Sequence, residues 1–387
     1  MSQLKVNTIR HTSASSDAIT LVNDGTATAK ITNYPHRNLV INGAMQVAQR
    51  GTSTTTTNTM CVDRFKCFFA GHDEAPTFAQ VDVTSNDPGP WEKGFRKALR
   101  ITNGNQTGGV GAADECSIYH QIEAQDIANS GWDYTSASSY ITLSFWLKSS
   151  VAQNFHGYLV TDDGTSQMYP FETGACSANT WKKVTLKIPG NSNITVNNDN
   201  GVGFAFSIAA TWGSDYTVAS PTLNAWTAWN GSERTKDTTT TWWTTNDAQF
   251  ELTGVQLEVG DTATDFEHIS YGDDLRRCQR YYFHQGSDSD YGFAIADNDN
   301  QWFDTEVVFP VQMRAAPTAV TNSGDSSEYS LRRDTTKTVT GGPNFNTAGT
   351  QAGVVRWGCS SHGWGTGAVV RSYPNDSDAF IGWSAEL

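Results

Sequence analysis

At 387 residues the chain is long enough for two or three domains and a substantial core. Asp and Glu outnumber Lys and Arg by 40 to 26, and the net charge of −14 opposes nucleic acid and anionic membrane as partners, because phosphate contacts need clustered cations. Charged residues make up only 17%, while 34 Gly, 13 Trp and abundant Thr, Ser and Asn favour strands and turns, so the expected class is mainly β.

No apolar run approaches the roughly 18 residues of a membrane helix, so no membrane insertion is expected. The opening MSQLKVNTIRHTSASS lacks an apolar h-region, so no secretory signal is expected. Cys61, Cys67, Cys116, Cys176, Cys278 and Cys359 are scattered without a CxxC pair, and read as buried thiols of a chain assembled in reducing cytoplasm.

Residues 1–37 are too short and polar to own a core. Small β-like pieces surround Asp24-Gly25 (Leu4 with Val6, Ile19 with Leu21, Ala29 with Ile31), and a disordered tail is the alternative. Residues 38–270 read as a two-sheet sandwich. Strands are expected at 39–41, 65–69, 77–83, 98–101, 117–122, 141–147, 155–160, 183–188, 202–208 and 250–259, with turn signals such as Asp87-Pro88-Gly89-Pro90 between them. A helical turn is expected at 126–129. Within residues 212–243 stand Trp212, Trp226, Trp229, Trp242 and Trp243. They form either a stacking platform for a sugar or a cover over one edge of the sandwich.

The last sandwich strand carries Phe250 and Leu252 on one parity and Val255, Leu257 and Val259 on the other. A bulge at Thr253-Gly254 restores the phase, leaving Gln256 and Glu258 facing outward. Ser270 is placed to cap a helix, with Asp273 completing a capping box, Asp273 and Asp274 at the positive end and Arg276, Arg277 and Arg280 at the other. Leu275, Cys278 and Tyr282 form one apolar stripe, so residues 271–283 read as a connecting helix whose stripe needs a partner.

Residues 284–387 read as a smaller β unit with strands at 291–295, 305–311, 353–357, 368–372 and 379–383. Trp357, His362, Trp364, Arg371 and Tyr373 gather around the glycine-rich SSHGWGTG, a pattern shared by recognition loops and ordinary hairpin loops.

No GxGxxG, P-loop, HExxH, GxSxG or CxxC motif appears, and the eight His are dispersed, so no catalytic or zinc site is expected. Asp162-Asp163-Gly164 and the run Asn197-Asn198-Asp199-Asn200 contain oxygen donors of the kind calcium takes, though turns explain both. Forty acidic residues supply carboxylate pairs by chance, so composition alone says nothing about glycoside hydrolysis.

Several stretches resemble one family. NLVINGAMQVAQRGT at 38–52 followed by Asp63-Arg64-Phe65, then LSFWLKSS at 143–150, WKKVTLKIPG at 181–190 and GVQLEVGDTATDFEHISYGDDLRRCQRYY at 254–282, resemble the carbohydrate-binding-module-like jelly roll of bacteriophage tail-fibre proteins of the marine type. LKVNTI at 4–9, VQMRAAPT at 311–318 and the final GWSAEL resemble the ends of the same proteins. The resemblance implies a jelly roll followed by a short helix and a smaller β tip that faces the host, so the receptor site is expected in the tip at Trp357, His362, Trp364, Arg371 and Tyr373, with the Trp-rich stretch of the sandwich as the competitor. It also implies a homotrimer joined to other virion proteins through its N-terminal segment, and attachment of the virion tail to host-surface polysaccharide; with the motifs missing and no stretch left for a catalytic domain, neither a cofactor nor enzymatic activity is expected. A head fibre or decoration protein, and a polysaccharide-degrading tailspike, are the alternatives.

Overall fold

Tyr140–Ser149 sends Ile141, Leu143, Phe145 and Leu147 to one side, and Val202–Trp212 does the same with Phe204, Phe206 and Ile208. Two sheets bury these rows against each other, with the Phe145 ring 5.7 Å from Phe206 and 6.3 Å from Phe171. The computed structural model describes residues 6–13, 17–29, 35–297, 301–360 and 362–387. It shows a jelly-roll sandwich, a short helix and a smaller β domain.

The first sheet runs in the order Lys182–Pro189, Tyr140–Ser149, Gln249–Val259, Lys97–Thr102, Thr77–Asp82, Ser53–Thr54. The second runs Thr227–Ala228, Gln167–Cys176, Gln153–Thr161, Val202–Trp212, Glu115–Glu123, Phe65–Ala70, Thr59–Val62. Neighbouring strands in both sheets are antiparallel. The helical turn at Ala124–Ala128 follows Glu115–Glu123 directly.

Gln249–Val259 contains the anticipated bulge. Thr253 pairs with Trp146 and Gln256 with Ser144, so Gly254 and Val255 together oppose Phe145. Gly254 takes φ +64°, and a Cβ there would lie 2.6 Å from the Phe95 ring. The slip puts Phe250, Leu252, Val255 and Leu257 all in the core.

The same strand also corrects an expectation. Gln256 and Glu258 point away from the core yet are buried. A loop and a strap of chain cover them: Thr264 N and Oγ1 donate to Glu258 at 2.8 and 2.6 Å, and Glu267 N donates to Gln256 Oε1 at 2.8 Å. Glu267 in turn accepts from the backbone N–H groups of His36 and Asn38. The strand expected at 39–41 is irregular. Leu39 donates one ladder bond to Leu257 O, after which the Asn42 side chain turns the chain by bonding both N and O of Val47.

Helix Tyr271–Gln279 has its expected cap, Asp273 N donating to Ser270 Oγ at 3.2 Å. Its Leu275 and Cys278, with Tyr281 just beyond its end, pack on Ile41, Val47 and Leu387 of the same chain. The expectation that this stripe needs a second chain is therefore not met: the sandwich covers it. Tyr282 instead begins the next strand.

The smaller domain has its own core around Trp357, Trp383, Tyr329, Phe303 and Val370. Its larger sheet runs in the order Thr336–Thr338, Tyr329–Arg332, Val369–Pro374, Gly292–Ala296, Trp302–Val308, Ala352–Gly358, Gly341–Ala348. Tyr282–Gln285, Ile381–Ser384 and Val320–Asn322 form a second sheet. At the other end, Thr8–Ile9, Ile19–Leu21 and Ala27–Ala29 form a small meander exposing Val6, Ile9, Leu21 and Val22. Leu4 and Ile31, named above, lie outside the described residues. All six cysteines are free and buried, as expected.

Candidate glycan-binding surface

A stretch of chain crosses the outer face of the seven-stranded sheet because that face also carries an apolar cluster. Tyr158, Val160, Met168, Ala205, Ala209 and Trp212 form a second buried cluster there, outside the sandwich core. The insertion over residues 213–248 supplies the cover. Within it Thr217–Val218 pairs in parallel with Thr235–Lys236, and Thr227–Ala228 adds an edge strand beside Gln167 and Met168.

The insertion spreads its tryptophans over different surroundings. Trp242 lies in the sandwich core and Trp243 is buried 4.4 Å from His72, its indole N–H donating to Gly108 O. Trp212 stacks on Tyr158 at 5.5 Å. Trp226 is half-buried, edge-on to Tyr169, with its N–H donating to Pro189 O at 2.7 Å. These rings pack against different partners and do not form one platform, because the apolar sheet face and the core draw them in.

Trp229 differs. It is 38% exposed, held by its backbone N–H to Ser166 O at 2.9 Å and by the Tyr158 ring at 5.4 Å. It borders a groove of about 490 Å³ with Met168 and Pro170 below and Ser220, Thr222, Asn230 and Glu233 around it. Behind it, the Arg234 guanidinium lies 4.2 Å over Tyr216 and pairs with Glu115 at 3.2 Å. Burial pushes the Glu115 carboxyl up, and Arg234 opposes that shift. The groove thus offers one open indole face, an apolar floor and hydrogen-bonding groups at its rim, which suits a polyhydroxylated, uncharged ring.

The residues proposed in the smaller domain are brought together only in pairs, His362 with Trp364 at 5.4 Å and Arg371 with Tyr373 at 5.1 Å. Trp357 is fully buried against Tyr291 and Tyr329, its N–H donating to Thr305 Oγ1 at 2.8 Å. His362 and Trp364 pack edge-on against Phe303 beneath Asp334, which accepts the Trp364 indole N–H at 2.8 Å. Arg371 and Tyr373 lie on the opposite face of that sheet, where Arg371 pairs with Asp290 and Tyr373 donates to Thr336. The glycine-rich stretch lies between Ala352–Gly358 and Val369–Pro374, which are not neighbours in the sheet, so it closes no hairpin, and the five residues form no common surface.

A second groove was not anticipated. Trp146, between the core residues Phe145 and Leu147, must face outward. With Phe266, His268, Lys93 and Lys183 it lines about 360 Å³ on the outer side of the six-stranded sheet. The signal was present in the alternation of LSFWLKSS, where a Trp occupies an outward parity.

The two stretches considered for calcium do meet. Asp163 accepts from Asn197 N at 2.7 Å and Asn197 Nδ2 at 2.6 Å, Asn198 Oδ1 accepts from Asn129, and Asp199 accepts from Gly201 N. Their oxygens pin turns together, and among the described residues no cluster of three His, Cys, Asp or Glu is placed to hold a metal ion.

No family model matches the chain, and no curated protein matches it. Among solved structures it is similar to the enzymatically active domain of bacteriophage CBA120 tailspike protein 4. That likeness has 11% identity and a TM-score of 0.29, covering 59% of this chain and 22% of that one. It is also similar to the CBM22-1 xylan-binding domain of Paenibacillus barcinonensis Xyn10C, with 10% identity and a TM-score of 0.26 over 55% of this chain and 94% of that one. The family 11 carbohydrate-binding module of Clostridium thermocellum, in complex with a mixed-linked tetrasaccharide, matches with 9% identity and a TM-score of 0.23 over 56% and 98%.

Proposed function

We propose that the chain is a non-enzymatic adhesin of a bacteriophage tail, whose jelly roll binds host-surface polysaccharide at the Trp229 groove. The observation that carries the binding site is the open indole of Trp229 beside an apolar floor and the polar groups of Ser220, Thr222, Asn230 and Glu233. The virion assignment rests on the resemblance of residues 38–52 and 254–282 to phage tail-fibre proteins. In this reading the N-terminal segment joins other virion proteins, and weak contacts at many copies add through effective concentration. The absence of turnover is part of the proposal. Glycoside hydrolysis needs two carboxylates some 5–10 Å apart across the sugar, and among the described residues lining this groove Glu233 is the one carboxylate.

Affinity electrophoresis through gels carrying bacterial capsular polysaccharide or lipopolysaccharide tests the site. Trp229→Ala is expected to abolish retardation, while Trp364→Ala and Trp146→Ala leave it unchanged. Retardation lost only with Trp146→Ala moves the site to the other face of the sandwich. Release of oligosaccharides from the same polysaccharides would overturn the non-enzymatic reading, and location of the chain on the head would overturn the tail assignment.

A further inference from the structure

The groove on the outer side of the six-stranded sheet is built around Trp146, which packs against the buried cluster of Val83, Ala98 and Trp181. The turn Asp87-Pro88-Gly89-Pro90 lies along the benzo edge of that indole. Gly89 takes φ +97° there, and a Cβ on it would lie 2.7 Å from the ring. Asp87 pins the turn, accepting from Lys148 Nζ at 2.7 Å and from the Trp181 indole N–H at 2.9 Å. The remainder of the indole borders about 360 Å³, with Phe266 and His268 on the facing loop. That loop is tied in turn, His268 Nε2 donating to Lys93 O at 2.7 Å.

Two observations point from this groove to a ligand. Ser144, one outward position before Trp146 on Tyr140–Ser149, lines the groove and is only 4% exposed, yet its hydroxyl has no hydrogen-bond partner among the described residues. A buried hydroxyl is costly unless a partner is supplied from elsewhere. Lys183, directly opposite Trp146 on the edge strand, is exposed and has no ion-pair partner among the described residues. The carboxylates at the rim are already engaged: Glu92 accepts from Gly89 N, and Asp265 faces Lys93 at 3.3 Å in a solvated pair. We propose that this groove is a second saccharide site, which takes a pyranose bearing a carboxylate. The ring lies against Trp146 and Phe266, the Ser144 hydroxyl meets a sugar hydroxyl, and Lys183 meets the carboxylate. The Trp229 groove has Glu233 as its one charged lining residue and so disfavours the same acid. The two grooves lie on opposite outer faces of the sandwich, so a neutral and an acidic residue are held without competing.

A lone pyranose has few atoms, so its affinity here is about millimolar. That is too weak to retard the chain in a polysaccharide gel, and small ligands read it instead. Ligand-observed NMR on the full chain should show methyl glucuronide binding about tenfold more tightly than methyl glucoside. Lys183→Gln changes an exposed position, so it should cut that preference to about twofold or less with the melting temperature unchanged. Ser144→Ala should weaken both sugars about fivefold. Trp229→Ala should leave glucuronide binding as it is, so this site stands or falls apart from the other. No binding of the glucuronide, or equal binding of the two sugars, would overturn the acidic-sugar site. So would a preference unmoved by Lys183→Gln, or glucuronide binding lost with Trp229→Ala.

Discussion

Glu386 provides the sharpest test of how the two domains are joined. Its carboxylate accepts from Arg50 Nη2 at 3.0 Å and is clamped by Arg64, which is 2% exposed, lies 3.5 Å over the Tyr281 ring and donates to Gln121 O at 2.7 Å. Glu386→Gln removes the charge while keeping the shape. Arg50 keeps Asp63 at 3.7 Å, but Arg64 is left buried with a carbonyl and a ring for company. Breaking a buried pair while keeping one charge costs about 3–5 kcal/mol. The remaining cation–π contact and carbonyl bond place this case near the lower end, about 3 kcal/mol. That is a large share of the 5–15 kcal/mol typical of a domain. Because Glu386 belongs to the smaller domain and Arg64 to the sandwich, the loss falls on their coupling. Calorimetry should show one transition in the wild type and two in the variant, and urea unfolding followed by tryptophan fluorescence should become biphasic. Adding Arg64→Met to Glu386→Gln should recover part of the loss, since the orphaned charge is gone. A shift under about 0.5 kcal/mol, or single effects that simply add, would refute the reasoning.

Other outcomes follow from individual residues. Trp229→Ala should cost about 1 kcal/mol of stability, because its ring is partly solvated, whereas Trp357→Ala should cost about 4 kcal/mol and leave glycan retardation intact if the protein stays folded; urea midpoints and affinity gels read both. Burial depresses His156 from 6.5 to about 4, with neither ring nitrogen hydrogen-bonded and Glu172 3.9 Å away. Its neutral form is favoured in the fold, so that stability is complete above pH 6.5 and is lost as pH falls toward 4. The wild type should therefore lose about 3 kcal/mol more than His156→Gln across that window, read from urea midpoints at its two ends. Gly254→Ala should cost about 2 kcal/mol or more, because φ +64° is strained for alanine and the added Cβ meets Phe95 at 2.6 Å; a neutral result would remove the bulge from the account of the closing strand.

The closing strand was legible because its parity change demands a bulge, and Thr253-Gly254 is the residue pair that permits one. Ser270 was equally plain, since a serine followed three residues later by aspartate satisfies orphan N–H groups at a helix start. Burial of Gln256 and Glu258 was not legible. It comes from residues 264–267 and 36–38, which fold over the sheet from positions on either side of it in sequence. Strands such as Gly341–Ala348 and Thr336–Thr338 also escaped: the first carries only Pro343 and Phe345 as an apolar alternation among Gly, Asn and Thr, and the second, Thr-Lys-Thr, has none. The tryptophans misled for a related reason: spacing along the chain does not say which of five rings ends at the water boundary.

That boundary follows from the sheet itself. Val202–Trp212 and Gln153–Thr161 are buried at nearly every position, so alternation between a wet and a dry face is missing there. Both faces then need cover. One is supplied by the opposing sheet and the other by the insertion, whose Tyr216 packs on the sheet's own cluster of Tyr158 and Trp212. Trp229 touches the same Tyr158 ring, yet its chain turns outward at Asn230, and the open groove begins where that cover ends. The exposed indole is held by the packing that buries its neighbours, so in the proposed reading it would meet a ligand as a fixed surface and lose little side-chain entropy on binding.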